Sequence, residues 1–131
     1  MNKMSAKITD IQSLNNLNLV SFDFNGISLS MVSLDLNENI KIGINVTLSA
    51  KATNVAIAKN FNGELSYSNQ IKAKISSINN GQILSSIKAE LNNTILESII
   101  TFKSCKRMDL QVGDDILLLI KASELSMLAD F

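Results

Sequence analysis

The chain has 131 residues, 46% of them hydrophobic and 18% charged, with twelve basic side chains balancing twelve acidic ones. That length suits one ordinary domain or two very small ones, and the apolar fraction is too high for a disordered chain. The longest aliphatic run, Ile116–Ile120, is far short of the roughly 20 residues a bilayer span needs, and Met1–Lys7 has no apolar signal-like stretch, so the expectation is a cytoplasmic protein with no membrane partner.

Proline is absent, and glycine and asparagine do the punctuating. Ile8 and Ile11 open a first strand, and Val20, Phe22 and Phe24 alternate along a second. Asn25-Gly26 is a strong hairpin signal that returns the chain as a third strand, Ile27–Leu34. Asp35–Ile40 connects onward, Gly43 turns, and Val46, Leu48 and Ala50 mark a fourth strand. Asn60-Phe61-Asn62-Gly63 then breaks any strand. Beyond it, Ile71, Ala73 and Ile75 alternate with Lys72, Lys74 and Ser76, the pattern of a half-buried strand. Asn79-Asn80-Gly81 offers residues that tolerate positive φ, and Ile83, Ser85, Ile87, Ala89 and Leu91 follow on one face. Asn92-Asn93 turns again into Thr94–Thr101. The polar segment Lys103–Leu110 has room for one short helix. Gly113-Asp114 turns, Ile116–Ile120 reads as a strand buried on both faces, and a last short strand carries Leu125 and Met127.

Five strands and a short helix in about 60 residues are most economically closed into a small barrel, because closure removes exposed edges. The two halves also overlay. Ile40–Val46 matches Leu110–Ile116, and Lys51-Ala52-Thr53 matches Lys121-Ala122-Ser123 in the same register. Upstream, Met31-Val32-Ser33 pairs with Ile99-Ile100-Thr101, and Ser13–Asn16 with Ser77–Asn80. The order of turn, glycine, buried strand and Lys-Ala-Ser/Thr implies an internal duplication. The expected division is a first, degenerate barrel over residues 1–59, a linker over 60–66 and a second barrel over 67–131.

The chemistry is narrowed by what is missing. Without histidine, imidazole zinc sites and most general-base catalysis are excluded. The single cysteine, Cys105, forms no internal disulfide and reads as a small buried filler. Neutral net charge, one arginine (Arg107) and six scattered Phe and Tyr residues argue against a nucleic-acid surface. No nucleophile, acid–base pair or metal cage is apparent, so the expectation is binding without turnover, with no direct cation ligands.

Asn69-Gln70-Ile71, Ile99-Ile100-Thr101, Leu110-Gln111-Val112-Gly113-Asp114 and Lys121-Ala122-Ser123 together resemble the Mop domain, the TOBE-type module of molybdenum-pterin-binding proteins. That family's pattern runs Ser-Ala-Arg-Asn-Gln-Leu, Ile-Thr-x-x-Ser, Leu-x-Val-Gly-Asp and Lys-Ala-Ser. The second half carries nearly all of it in order. The first half is similar mainly at Gly43 and Lys51-Ala52-Thr53, and together they look like a tandem Mop protein. The resemblance implies an all-β chain of two OB-like five-stranded barrels, each with a short helix. It also implies a homo-oligomer, a trimer being favoured, that binds molybdate or tungstate where subunits meet, with no organic cofactor.

A tetrahedral oxyanion offers only acceptors, so its site needs N–H groups, hydroxyls and a cation, with carboxylates kept away. Carried over from the family, the binding set in the second half is Ser66, Thr101, Ser104, Lys121, Ala122 and Ser123. In the first half it is Ser33, Lys51, Ala52 and Thr53. Glu124 is expected to point opposite to Ser123. Two departures weaken the set: Ser68 stands where the family has arginine, and Asp35 falls near an expected hydroxyl. The expected function is a store, buffer or sensor of molybdate. The alternative is a ligand-free regulatory or protein-interaction module of a molybdenum transport system.

Overall fold

The computed structural model describes residues 1–128; positions 129–131 of the expected second barrel lie outside that range. The first half contains β1 (Asn2–Leu14), β2 (Leu17–Phe24), β3 (Ile27–Ser33), β4 (Asn45–Ala50) and β5 (Ala56–Ala58). The second contains β6 (Asn69–Asn80), β7 (Leu84–Leu91), β8 (Thr94–Thr101), β9 (Asp115–Ile120) and β10 (Ser126–Met127). Each half also has a 3-10 turn, Ala52–Asn54 and Ala122–Glu124, and the second alone adds an α-helix, α1 (Phe102–Arg107). The protein is all-β, built as two five-stranded OB-like barrels.

Alternation makes the strands. In β1 Met4, Ala6 and Ile8 are buried while Lys3, Ser5 and Lys7 are exposed, and β6 repeats this with Ile71, Ala73 and Ile75 inward. Both long strands shift register midway, between Ile8 and Asp10 and between Ile75 and Ser77. These bulges bend the strand so that its first part pairs with β4 or β9 and its second with β2 or β7. At each bend a glycine turn is bonded on: the Gly43 and Gly113 N–H groups donate to the Ile8 and Ile75 carbonyls, both at 2.8 Å. Both glycines have φ near +95°, at +96° and +94°, a conformation that strains any side chain with a Cβ.

The duplication is real in three dimensions, with a different register from the one the sequence suggests. β1, β2 and β3 begin at residues 2, 17 and 27 and their counterparts at 69, 84 and 94, a constant offset of 67; β4 and β9 begin at 45 and 115, an offset of 70. Met31 is therefore equivalent to Ser98 and not to Ile99, and Ser13–Asn16 does not overlie Ser77–Asn80. The extra three residues of the second half lie in the connection that holds α1.

Each barrel is closed by a strand of the other half. The sheets run β10-β4-β1-β2-β3 and β5-β9-β6-β7-β8. Met127 belongs to the last strand as expected, while Leu125 caps the 3-10 turn before it; β10 pairs with β4 of the first half, Ser126 opposite Ser49. Reciprocally, β5 pairs with β9. Strands this short carry no pairing information of their own, and the crossing 3-10 turns deliver them to the far sheet.

One apolar core results. Phe22, Phe24, Leu29 and Leu48 from the first half and Ile71, Ile87, Leu96 and Leu118 from the second are all fully buried in a single cluster. Each such side chain contributes about 1.5–3 kcal/mol. Two buried asparagines fasten the seam. Asn69 Oδ1 accepts from the Ser30 N–H at 2.7 Å and its Nδ2 donates to the Ser30 carbonyl at 3.0 Å. Asn2 does the same at Glu97, with both bonds 2.7 Å. Each amide imitates a neighbouring strand for an outermost strand, β3 or β8, of the opposite sheet.

Lys59, just past β5, latches the exchanged strand to the second barrel. Its Nζ donates to the Asp109 carbonyl at 2.7 Å and the Met108 carbonyl at 3.2 Å, and pairs with Asp114 at 3.0 Å. The Asp114 carboxylate also accepts from the Gln111 N–H at 2.9 Å. The Lys59 bond, then the Gln111 bond, holds the Asp114 carboxyl below the ordinary aspartate range. Among the described residues, no helix is long and apolar enough to cross a membrane.

Candidate functional site

The candidate site forms where the chain crosses between barrels. β4 and β9 share one burial pattern, with their last three residues buried, and each ends at an exposed lysine, Lys51 or Lys121, in extended conformation. The following 3-10 turns are closed by the Asn54 N–H on the Lys51 carbonyl and the Glu124 N–H on the Lys121 carbonyl, both at 2.9 Å. Alanine at the first turn position is small enough to sit under the crossing: Ala52 is buried and Ala122 half-buried. The first turn packs on β8 and the second on β3. The buried Ser98 hydroxyl donates to the Val55 carbonyl and fixes the first crossing.

This topology regroups the expected binding residues. Ser123 does not join Thr101 and Ser104 of its own half; it joins Lys51. Lys51, Ser123, Asn54, Ser49, Ser126 and Glu124 line one hollow of about 210 Å³. Its side-chain donors are one ammonium, three hydroxyls and an amide, against a single carboxylate. Glu124 lines the hollow together with Ser123, where the sequence suggested opposite directions, because the 3-10 turn does not alternate faces as a strand does.

The other expected residues fall elsewhere. Thr101 is the N-cap of α1: its Oγ1 accepts from the Ser104 N–H at 3.1 Å and donates to Ser104 Oγ at 2.9 Å. Those two hydroxyls satisfy each other and the helix start. The helix spans Phe102–Arg107, starting a residue before the expected Lys103–Leu110, and is followed by Asp109 at φ +49°. Ser33 donates to the Asp35 carbonyl at 3.2 Å and lines a different hollow, together with Asp35 and Ser123. Thr53 and Ser66 are exposed, as is Lys121.

Sequence reasoning missed Ser49, Asn54 and Ser126. Ser49 left a readable signal: it is a polar residue, only 5% exposed, between the apolar Leu48 and Ala50, where the equivalent position in β9 is Leu119. Hydroxyls in such positions need a partner or a ligand.

With this geometry in hand, the comparisons with known proteins are specific. Residues 65–127 match the family model described as TOBE domain. No curated protein sequence matches the chain. Among solved structures, the chain is similar to the cytoplasmic molybdate-binding protein ModG in a crystal form with molybdate bound. The TM-score is 0.91 at 20% identity, covering 96% of this chain and 94% of that one. The fold agreement therefore extends over both barrels, including the half that the family model does not reach. The second half matches the TOBE domain model, and the whole chain shares the tandem-barrel fold of that solved structure.

Proposed function

We propose that the protein binds molybdate or tungstate in the cytoplasm, without turnover, as a store, buffer or sensor of the oxyanion. The observation that carries this reading is the hollow at the crossing, where the strand exchange gathers Lys51, Ser49, Asn54, Ser123 and Ser126 around a space of about 210 Å³. Ammonium, hydroxyl and amide donors are what a tetrahedral anion requires. Lys51 supplies the positive charge and the serines shape the donor ring. ModG, with its bound molybdate and the same fold, supports the ligand class.

The hollow is open to solvent on one side, and a second copy of the chain would complete it. Self-association is supported by an apolar outer face on the first barrel. There Leu14 lies opposite Leu17, and Leu19 opposite Val32, with each of the four at least 38% exposed. Contiguous exposed aliphatic surface of this kind marks an interface. A trimer is the assembly we propose.

Native mass spectrometry with molybdate, and with sulfate as control, tests both statements. A discrete oligomer that takes up several molybdates and no comparable sulfate is the expected result. Thermal melts then assign the cation. Molybdate should raise the melting temperature by mass action, and Lys51→Ala should remove most of that gain while Lys121→Ala removes less. The same oligomer without uptake would favour a protein-interaction module instead, and the carboxylate of Glu124 would be the first cause to examine.

A further inference from the structure

A second hollow, of about 320 Å³, backs onto the first across the Ser123–Ser126 wall. It lies between the end of β3, the connection that follows it and the exchanged strand β10. Its floor is apolar and soft, with the thioethers of Met31 and Met127 beside Leu36 and Ile40. Its polar lining consists of Ser33, Ser123, Ser126 and Asn37. Among the described residues its only ionised lining group is the carboxylate of Asp35, with no lysine or arginine to answer it. The equivalent connection of the second half is longer and carries α1, which turns Cys105 inward. The hollow is thus a feature of the shorter connection.

We infer that this hollow is a binding site for a small amphipathic amine: an ammonium paired with Asp35 and a short alkyl body laid on Met31 and Met127. An apolar floor with a few convergent polar groups is the usual make-up of a small-ligand site, and about 320 Å³ is the low end of the usual size. Methionine suits such a floor because its flexible, polarisable chain adapts to the occupant. The charge selects the ligand. A lone carboxylate attracts an ammonium and repels an anion, so Ser33, which the sequence places among the oxyanion residues, faces the wrong field for that role. The reading does not depend on molybdate binding and is tested without any oxyanion present.

The test is methyl NMR on the full chain labelled at its methionine methyl groups, titrated separately with n-butylamine, n-butanol and butyrate near pH 7. The Met31 and Met127 signals should shift saturably with butylammonium while those of Met4, in the core, and Met108, after α1, stay fixed. Apparent affinity should fall in the order ammonium, alcohol, carboxylate, by about tenfold from first to last. Asp35→Asn should bring the amine down to the level of the alcohol. Asp35 is exposed and Ser33 bonds only its backbone carbonyl, so this variant keeps the fold, which an unchanged melting curve would verify. Equal response to all three ligands, no response, an amine response that survives Asp35→Asn, or parallel shifts at Met4 and Met108 would each overturn the assignment.

Discussion

The two halves share one plan and differ in how they finish it. The second half retains the family pattern, carries α1 and is latched by Lys59; the first has a shorter connection and no equivalent latch among the described residues. Yet the better-furnished hollow is built around the first half's lysine. Ser49 and Asn54 stand beside Lys51, where the corresponding positions beside Lys121 are Leu119 and Glu124. Likeness to the domain model and provision of hydrogen-bond donors have separated between the copies. A degenerate copy is free to vary at positions that only its twin needs for packing.

The deepest test of that comparison is whether the halves are energetically separate at all. Leu48 and Leu118 are equivalent and each is fully buried. Replacing either with alanine should cost about 2–5 kcal/mol, and the two losses should be similar. Because each barrel contains a strand of the other, urea unfolding of both variants should remain a single transition. Two transitions would show that the exchange does not couple the halves.

The seam offers a finer measure. Asn69→Ala and Asn2→Ala each leave an N–H and a carbonyl of an outermost strand without their side-chain partner, at a cost of about 1–3 kcal/mol. Asn69 is 0% exposed and Asn2 6%, so the Asn69 variant should be the less stable of the two in denaturant titrations. Water reaching the Asn2 site would replace part of what is lost there.

The smallest effect belongs to the latch. Lys59→Met should lower the melting temperature by a few degrees. The Asp114 carboxyl titrates lower in the folded chain than its ordinary value of 3.8. Its stabilising contribution is therefore complete above that value and declines as the pH falls through it toward the folded-state value. Melting curves taken from pH 7 down to pH 3 should show a smaller acid loss in Lys59→Met than in the unaltered chain. Equal losses would place the acid sensitivity elsewhere.

Most of the fold was legible because it rests on local signals. Alternation marks most strands, Asn25-Gly26 and Asn92-Asn93 are turn signals in the sequence, and these residues do adopt positive φ. The register of the duplication was not legible, and Asn79-Asn80 shows why. They look like the turn made by Asn15-Asn16, but Asn80 is still in β6, opposite Ser85, and the chain reverses just after it. A strand's side chains change faces with each one-residue slip, so aligning Met31 with Ile99 exchanges inside for outside. The exchange of fifth strands left no trace in the sequence at all. Ala56–Ala58 and Ser126–Met127 choose partners by where the crossing turns deliver them, which is a tertiary fact. The site followed suit: its residue types were readable, and their grouping depended on the crossing.

That crossing also sets an order of events during synthesis. The first barrel's sheet has its open flank at β4, and the strand that covers it, Ser126–Met127, follows β4 only after nearly the whole second half has been made. At about 5–20 residues per second the ribosome takes several seconds to travel from one to the other. Throughout that interval the nascent first half presents an unpaired β edge to its surroundings. A chain interrupted before Ser126 would keep that edge permanently, so losing β10 alone should leave the first barrel's sheet with a sticky flank.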